Sequence, residues 1–225
     1  MKKLGNYCIL WRIAELFFNI ALYANKMNKS ALREIYLSKQ RSISATMRAQ
    51  KSKAAVYNFF RNFDFSGINV LHCFISIEKF NEIDTKPLLQ RIWEEFPQII
   101  TVVPRINFKT GEMQNLKFAA ATDLVPNIWN IYEPSHDELV ETEKIDMVLV
   151  PLLCFDERGY RVGYGKGFYD KFLSRCRIDC VKIGFSYFEP VEEIQDVSEF
   201  DVTLDFFITP DDILETRGKR DAETQ

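Results

Sequence analysis

The stretch from Ile145 to Asp170 constrains the fold more than any other part of the chain. The run IDMVLV at 145–150 is apolar except for one aspartate and stops at Pro151. A short apolar run of this kind, ended by proline, reads as a strand buried on both faces. Such a strand needs parallel neighbours and a helical layer on each side. A loop carrying Gly159, Gly163, Gly165 and Gly167 follows, and a helical pattern then runs over Phe168 to Arg175.

The rest of the chain after Met27 alternates in the same way. Residues 28–41 and 45–62 carry helical patterns, with Ser42 to Ser44 as a break and N-cap. Ile68 to Ile77 reads as a buried strand. Thr85 is positioned to cap a helix through Phe96, with Pro87 in its first turn. Ile99 to Val103 reads as a strand closed by Pro104, and Met113 to Ala121, Val181 to Phe185 and Phe206 to Thr209 as further strands. The fold class expected is therefore α/β: a mostly parallel open sheet flanked by helices on both faces, in a single compact domain.

The chemistry concentrates in Asp156 to Asp170, DERGYRVGYGKGFYD. In open α/β sheets ligands bind beyond the C-terminal ends of the strands, where this loop begins. Its glycines allow close backbone approach to an anion; Lys166 adds a point charge, and the helix start adds partial positive charge. The spacing is neither GxxxxGK[ST] nor GxGxxG. A tight surface turn and a phosphate cradle both remain open on the glycines alone. Arg161, Lys166 and Asp170 around them favour phosphate with a divalent cation, for which Asp170 is a candidate oxygen ligand. The plainer alternative for Asp170 is a solvated carboxylate paired with a neighbouring base.

The first twenty-six residues differ from the rest. Segment 7–24 is apolar but interrupted by Arg12 and Glu15, and Leu16 to Ala24 is too short to span a bilayer. Three readings compete: a wrongly assigned start with Met27 as the true one, a helix packed on the body, or a targeting or membrane-surface anchor. Segment 1–26 is treated as an extension, 27–214 as the α/β domain and 215–225 as a flexible tail. The full chain has a net charge of −3. The extension carries Lys2, Lys3, Arg12 and Lys26 against Glu15, so the domain itself is more acidic. No extended nucleic-acid face is expected. Cys8, Cys73, Cys154, Cys176 and Cys180 read as reduced thiols with no metal role.

The sequence PLLCFDERGYRVGYGKGFYD at 151–170 resembles the signature of the 5-formyltetrahydrofolate cyclo-ligase (methenyltetrahydrofolate synthetase) family. Glu82-Ile-Asp-Thr85, Lys29-Ser-Ala-Leu-Arg33, Pro104-Arg105 and Trp129 to Pro134 resemble further family segments in the same order. Leu152 stands where glycine is common in the family and Tyr164 where some members have arginine. The resemblance implies ATP contacts from Lys29, Arg33, Arg161, Gly163, Tyr164, Gly165, Lys166, Gly167, Phe168 and Tyr169. It implies folate contacts from Ile77, Glu82 and Trp129, and Mg²⁺ near Asp170 and Asp201. Each has a plainer reading: Lys29 and Arg33 as solvated helix charges, Ile77 as core, and Trp129, Phe168 and Tyr169 as core aromatics.

The activity so implied is ATP-dependent conversion of 5-formyltetrahydrofolate to 5,10-methenyltetrahydrofolate with release of ADP and phosphate. No covalent nucleophile from the protein is expected. The implied setting is a cytoplasmic monomer with a reduced folate as substrate and no membrane partner. The alternatives are a kinase or hydrolase acting on another acceptor, and a non-catalytic nucleotide-binding regulatory domain.

Overall fold

The computed structural model describes residues 26–107, 109–127 and 131–216. Its centre is an eight-stranded sheet. In chain order the strands are β1 (Val70–His72), β2 (Ile100–Asn107), β3 (Glu112–Lys117), β4 (Leu139–Val140), β5 (Met147–Pro151), β6 (Val181–Phe185), β7 (Phe206–Ile208) and β8 (Ile213–Glu215). Across the sheet the order is β8-β7-β6-β5-β1-β2-β3-β4. The five strands from β7 to β2 are parallel, and antiparallel strands close both edges. The strand order reverses between β1 and β5. At that point two adjacent C-terminal ends diverge into separate loops and leave a crevice.

The helices are α1 (Lys29–Arg41), α2 (Ala45–Asn62), α3 (Lys86–Glu95) and α4 (Phe168–Leu173). Asn28 caps α1 by accepting the Ala31 N–H at 2.9 Å, and Ser44 caps α2 by accepting that of Met47 at 3.2 Å. Both faces of the sheet are covered. Ala55, Val56 and Phe59 of α2 and Leu88, Leu89 and Ile92 of α3 pack with Leu71, Met147, Leu149 and Ile183. Phe172 and Leu173 of α4 pack on the opposite face with Val70, Val148 and Val150. The alternation along β5 divides its side chains between the two layers, as a strand buried on both faces requires.

Several local expectations are corrected. Pro104 does not end its strand, because β2 continues to Asn107 and Pro104 pairs with Asn115 of β3. Ile100 and Val102 bond toward β1, so the missing N–H of Pro104 faces the side where β1 has already stopped at His72. Proline costs no ladder bond there. The strand expected over 68–77 is likewise only Val70–His72. Its continuation is diverted: the Phe74 carbonyl accepts the Thr85 hydroxyl at 2.8 Å. Thr85 therefore does not cap α3 with its side chain, and Asp84 accepts the Lys86 N–H instead. Helix α4 is shorter than the expected 168–175. The strand expected over 113–121 is Glu112–Lys117, and β8 extends the ordered body to Glu215, where Thr216 N–H still bonds the Asp205 carbonyl. The 1–25 segment, Trp129 and residues 217–225 lie outside the described residues.

Candidate active site

Two loops leave the crevice between β1 and β5. The first, after β1, carries Ile77 through a single 3₁₀ turn at Glu78–Phe80 to Glu82. The second, after β5, is a short hairpin pairing Cys154–Phe155 with Arg161–Val162, then the glycine-rich segment leading to α4. Helix α1 lies over the second loop. Leu32 packs with Cys154 and Val162 in a small cluster of its own. That packing holds the polar face of α1 against the glycines.

The hairpin is anchored by Asp156, which has no solvent exposure. Its carboxylate accepts the N–H groups of Arg158, Tyr160 and Ile194 and two bonds from the Arg158 guanidinium. On this base Arg33 donates from Nε to the Gly163 carbonyl at 2.9 Å. Gly165 sits at φ +84°, and a Cβ there would stand 3.0 Å from the Arg33 Cζ. Glycine at 165 thus satisfies both a left-handed backbone and close approach of a cation.

Lys29 donates from Nζ to Asp201 Oδ2 at 2.5 Å, and Arg161 donates to Asp170 Oδ1 at 2.8 Å. The Val202 N–H also reaches Asp170 Oδ1, at 3.2 Å, and so ties the two aspartates together. The Arg161 side chain is almost fully buried, and its other terminal nitrogen donates to the Val202 carbonyl at 2.6 Å. Arg161 therefore fixes Asp170 and the 201–202 segment. Lys166 is exposed and makes no hydrogen bond or ion pair with another described residue.

Asp170 and Asp201 form no closed metal cage, since no group of three or more metal-ligating side chains is present among the described residues. Asp170 Oδ2 and Asp201 Oδ1 make no hydrogen bond among those residues. Two carboxylates with a free oxygen each suit Mg²⁺, which commonly takes one or two protein oxygens with phosphate oxygens and waters completing its shell.

Glu82 belongs to the other half of the site. It is 4% exposed, and its Oε2 accepts the Ile77 N–H at 2.6 Å. Burial raises its pKa to about 7, partly opposed by the Ile77 N–H, the Tyr164 phenol and the Arg48 charge. Arg48 also holds the loop by donating to the Glu82 carbonyl at 2.8 Å. Phe168 and Tyr169 pack against the α4-side core. The Tyr169 hydroxyl, however, is buried without a hydrogen-bond partner among the described residues and lies within the electrostatic reach of Glu82 and Arg161. The Tyr164 ring stacks on Phe80 of the first loop, with centroids 4.7 Å apart.

Lys29, Arg33, Arg161, Asp170, Asp201 and the glycine loop thus converge, and the Tyr164–Phe80 stack joins them to the loop that carries Ile77 and Glu82. Sequence reasoning missed Gln40, Arg48, Phe80 and Asn81. Of these only Gln40 carried a signal, since it falls on the helical stripe of Lys29, Arg33 and Tyr36. Leu152, the departure from the common glycine, is buried in the α4-side core. A Cβ on Gly184 would come within 2.5 Å of its Cδ2, so a bare glycine backbone faces it.

The sequence model of the 5-formyltetrahydrofolate cyclo-ligase family matches residues 25–210. The Escherichia coli K12 5-formyltetrahydrofolate cyclo-ligase is 30% identical over 60% of this chain and 75% of its own length. The Arabidopsis thaliana mitochondrial 5-formyltetrahydrofolate cyclo-ligase is 27% identical over 87% of this chain and 82% of its own. The solution structure of Aquifex aeolicus 5,10-methenyltetrahydrofolate synthetase superposes with a TM-score of 0.72 at 26% identity, covering 85% of this chain and 94% of that one. The chain belongs to the 5-formyltetrahydrofolate cyclo-ligase family.

Proposed function

We propose that this chain converts 5-formyltetrahydrofolate and ATP into 5,10-methenyltetrahydrofolate, ADP and phosphate, with Glu82 holding the folate and the α1–glycine-loop face holding the nucleotide. The supporting observation is the convergence of the two loops from β1 and β5 at the sheet's reversal point, within a chain of this family. The formyl oxygen is a poor leaving group. Taking the terminal phosphoryl group turns it into a good one, N10 of the same folate then attacks the activated carbon and loses its proton, and phosphate leaves as the C–O bond breaks.

Most of the catalytic work is alignment and charge neutralisation. Arg33 and the glycine N–H groups are suited to the phosphates, and exposed Lys166 is free to swing onto them. Lys29 holds Asp201 in place and favours its ionised form, and Arg161 holds Asp170 in place through their ion pair. Mg²⁺ bound at those two carboxylates would supply positive charge to the phosphate oxygens. Glu82, Ile77 and Trp129 orient the pterin side, and the unpaired Tyr169 hydroxyl offers it a polar partner. Burial pushes Cys73 and Cys154 up to about 12, so these two thiols stay protonated at neutral pH and offer no thiolate.

Segment 27–214 is the catalytic unit in this reading, acting as a cytoplasmic monomer. No helix among the described residues is long and apolar enough to cross a membrane. The test is a spectrophotometric assay of methenyltetrahydrofolate formation. Wild type is expected to form product with ATP and Mg²⁺. Glu82→Ala should raise the folate KM and lower kcat, and Lys166→Ala should act mainly through the nucleotide. A folded wild type that forms no product contradicts the activity, and unchanged rates in both variants contradict the site.

A further inference from the structure

We propose that Tyr164 is a positioning residue that couples the two substrate sites, so that folate and nucleotide each strengthen the binding of the other through its phenol. The inference rests on the folate and ATP reading above. It reassigns Tyr164 from a nucleotide contact to a mechanical link.

The observations lie on both sides of the ring. Tyr164 stands between Gly163, whose carbonyl holds Arg33, and Gly165, which Arg33 overlies. Its ring stacks on Phe80 of the folate loop at 4.7 Å with planes 24° apart. Its oxygen accepts Gln40 Nε2 at 3.2 Å, and the Glu82 carboxyl lies within electrostatic reach of its hydroxyl. Burial and the neighbouring Glu82 raise the phenol pKa, so it remains a proton donor at any working pH. Gln40 and Tyr164 are thus hydrogen-bonded and Glu82 is coupled to the same phenol electrostatically, so the three form one coupled chain.

Gln40 carries that chain back to the phosphate-facing helix. It is buried near the end of α1 and uses the same Nε2 to donate to the Phe80 carbonyl at 2.7 Å. Asn81, in the left-handed region at φ 55°, donates from Nδ2 to the carbonyls of Gln40 and Ile43 at 2.8 Å. The folate loop, the glycine loop and α1 are therefore fastened at a common point. Movement of the Glu82 loop onto a folate passes through Phe80 and Gln40 to Tyr164, and thence to the Gly163–Gly165 backbone and Arg33. Linkage makes the effect reciprocal.

The experiment measures the Kd of a β,γ-imido ATP analogue with Mg²⁺, by titration calorimetry, with and without saturating 5-formyltetrahydrofolate. Wild type is expected to bind the analogue about five-fold or more tightly when folate is present. Tyr164→Phe keeps the Phe80 stack, and so the fold, but removes the hydroxyl. Its enhancement should fall to within about two-fold of unity while its Kd without folate changes little. Tyr164→Ala should lose the enhancement as well. The proposal is overturned if Tyr164→Phe keeps the wild-type enhancement, if wild type shows none, or if Tyr164→Phe weakens the analogue equally with and without folate. That last result would make Tyr164 a phosphate contact. Failure of the underlying reading is distinct: wild type would then bind neither ligand.

Discussion

A carboxyl such as Glu82 titrates at about 4.5 in water, and here burial moves it to about 7. Between those values the folded protein holds a proton that the unfolded chain has released. Stability contributed by this group is therefore fully present below the unfolded pKa and declines as pH rises toward 7. At about 1.4 kcal/mol per pKa unit the full effect is on the order of 3 kcal/mol. Urea denaturation at pH 5 and pH 8 should show Glu82→Gln gaining relative to wild type at the higher pH; a pH-independent difference would contradict it. His72 has the opposite sign. Burial lowers it to about 3, so its contribution is present above the unfolded value near 6.5 and is lost as pH falls toward 3. Gly184 is a steric case. A methyl group there would meet Leu152 and Phe207 at 2.5 Å, and Gly184→Ala should cost about 1–3 kcal/mol in a denaturation experiment. Leu152 was visible in the sequence as a departure, but the glycine that accommodates it lies on a neighbouring strand.

The hairpin before the glycine loop depends on Asp156. Asp156→Ala leaves three backbone N–H groups without their acceptor and removes two bonds from the Arg158 guanidinium, which keeps only Glu193 and the Ile194 carbonyl. Loss of about 3–5 kcal/mol is expected, read as a lower denaturation midpoint, and a change below about 1 kcal/mol would show that the hairpin does not need this anchor. Elements with local determinants were legible. Helices α1 and α2 followed from the 3.6-residue pattern and the break at Ser42 to Ser44, and β5 from its apolar run. Elements set by distant partners were not. Pro104 is harmless only because β1 stops beside it, and Thr85 leaves its cap only because the Phe74 carbonyl is within reach. The short strand pairs at Leu124–Pro126 with Tyr132–Pro134, and at Cys154–Phe155 with Arg161–Val162, had no periodic pattern long enough to mark them.

At the level of the whole molecule, the reversal of strand order between β1 and β5 brings two motifs that are far apart in sequence to one crevice. Glu82 and the glycine loop could each be read alone as a surface feature, and the family resemblance supplied their pairing before any geometry did. The geometry adds what makes the pairing physical: α1 lies on the glycine loop through Leu32 and Arg33, and Tyr164 reaches from that loop to the Glu82 segment. Phosphate release is therefore expected to be tied to folate ring closure. The direct measurement follows methenyltetrahydrofolate absorbance and inorganic phosphate in the same reaction. One phosphate for each methenyltetrahydrofolate, with negligible release when 5-formyltetrahydrofolate is omitted, is the predicted result. Phosphate release that continues without folate, or that proceeds with no methenyl product, would contradict it.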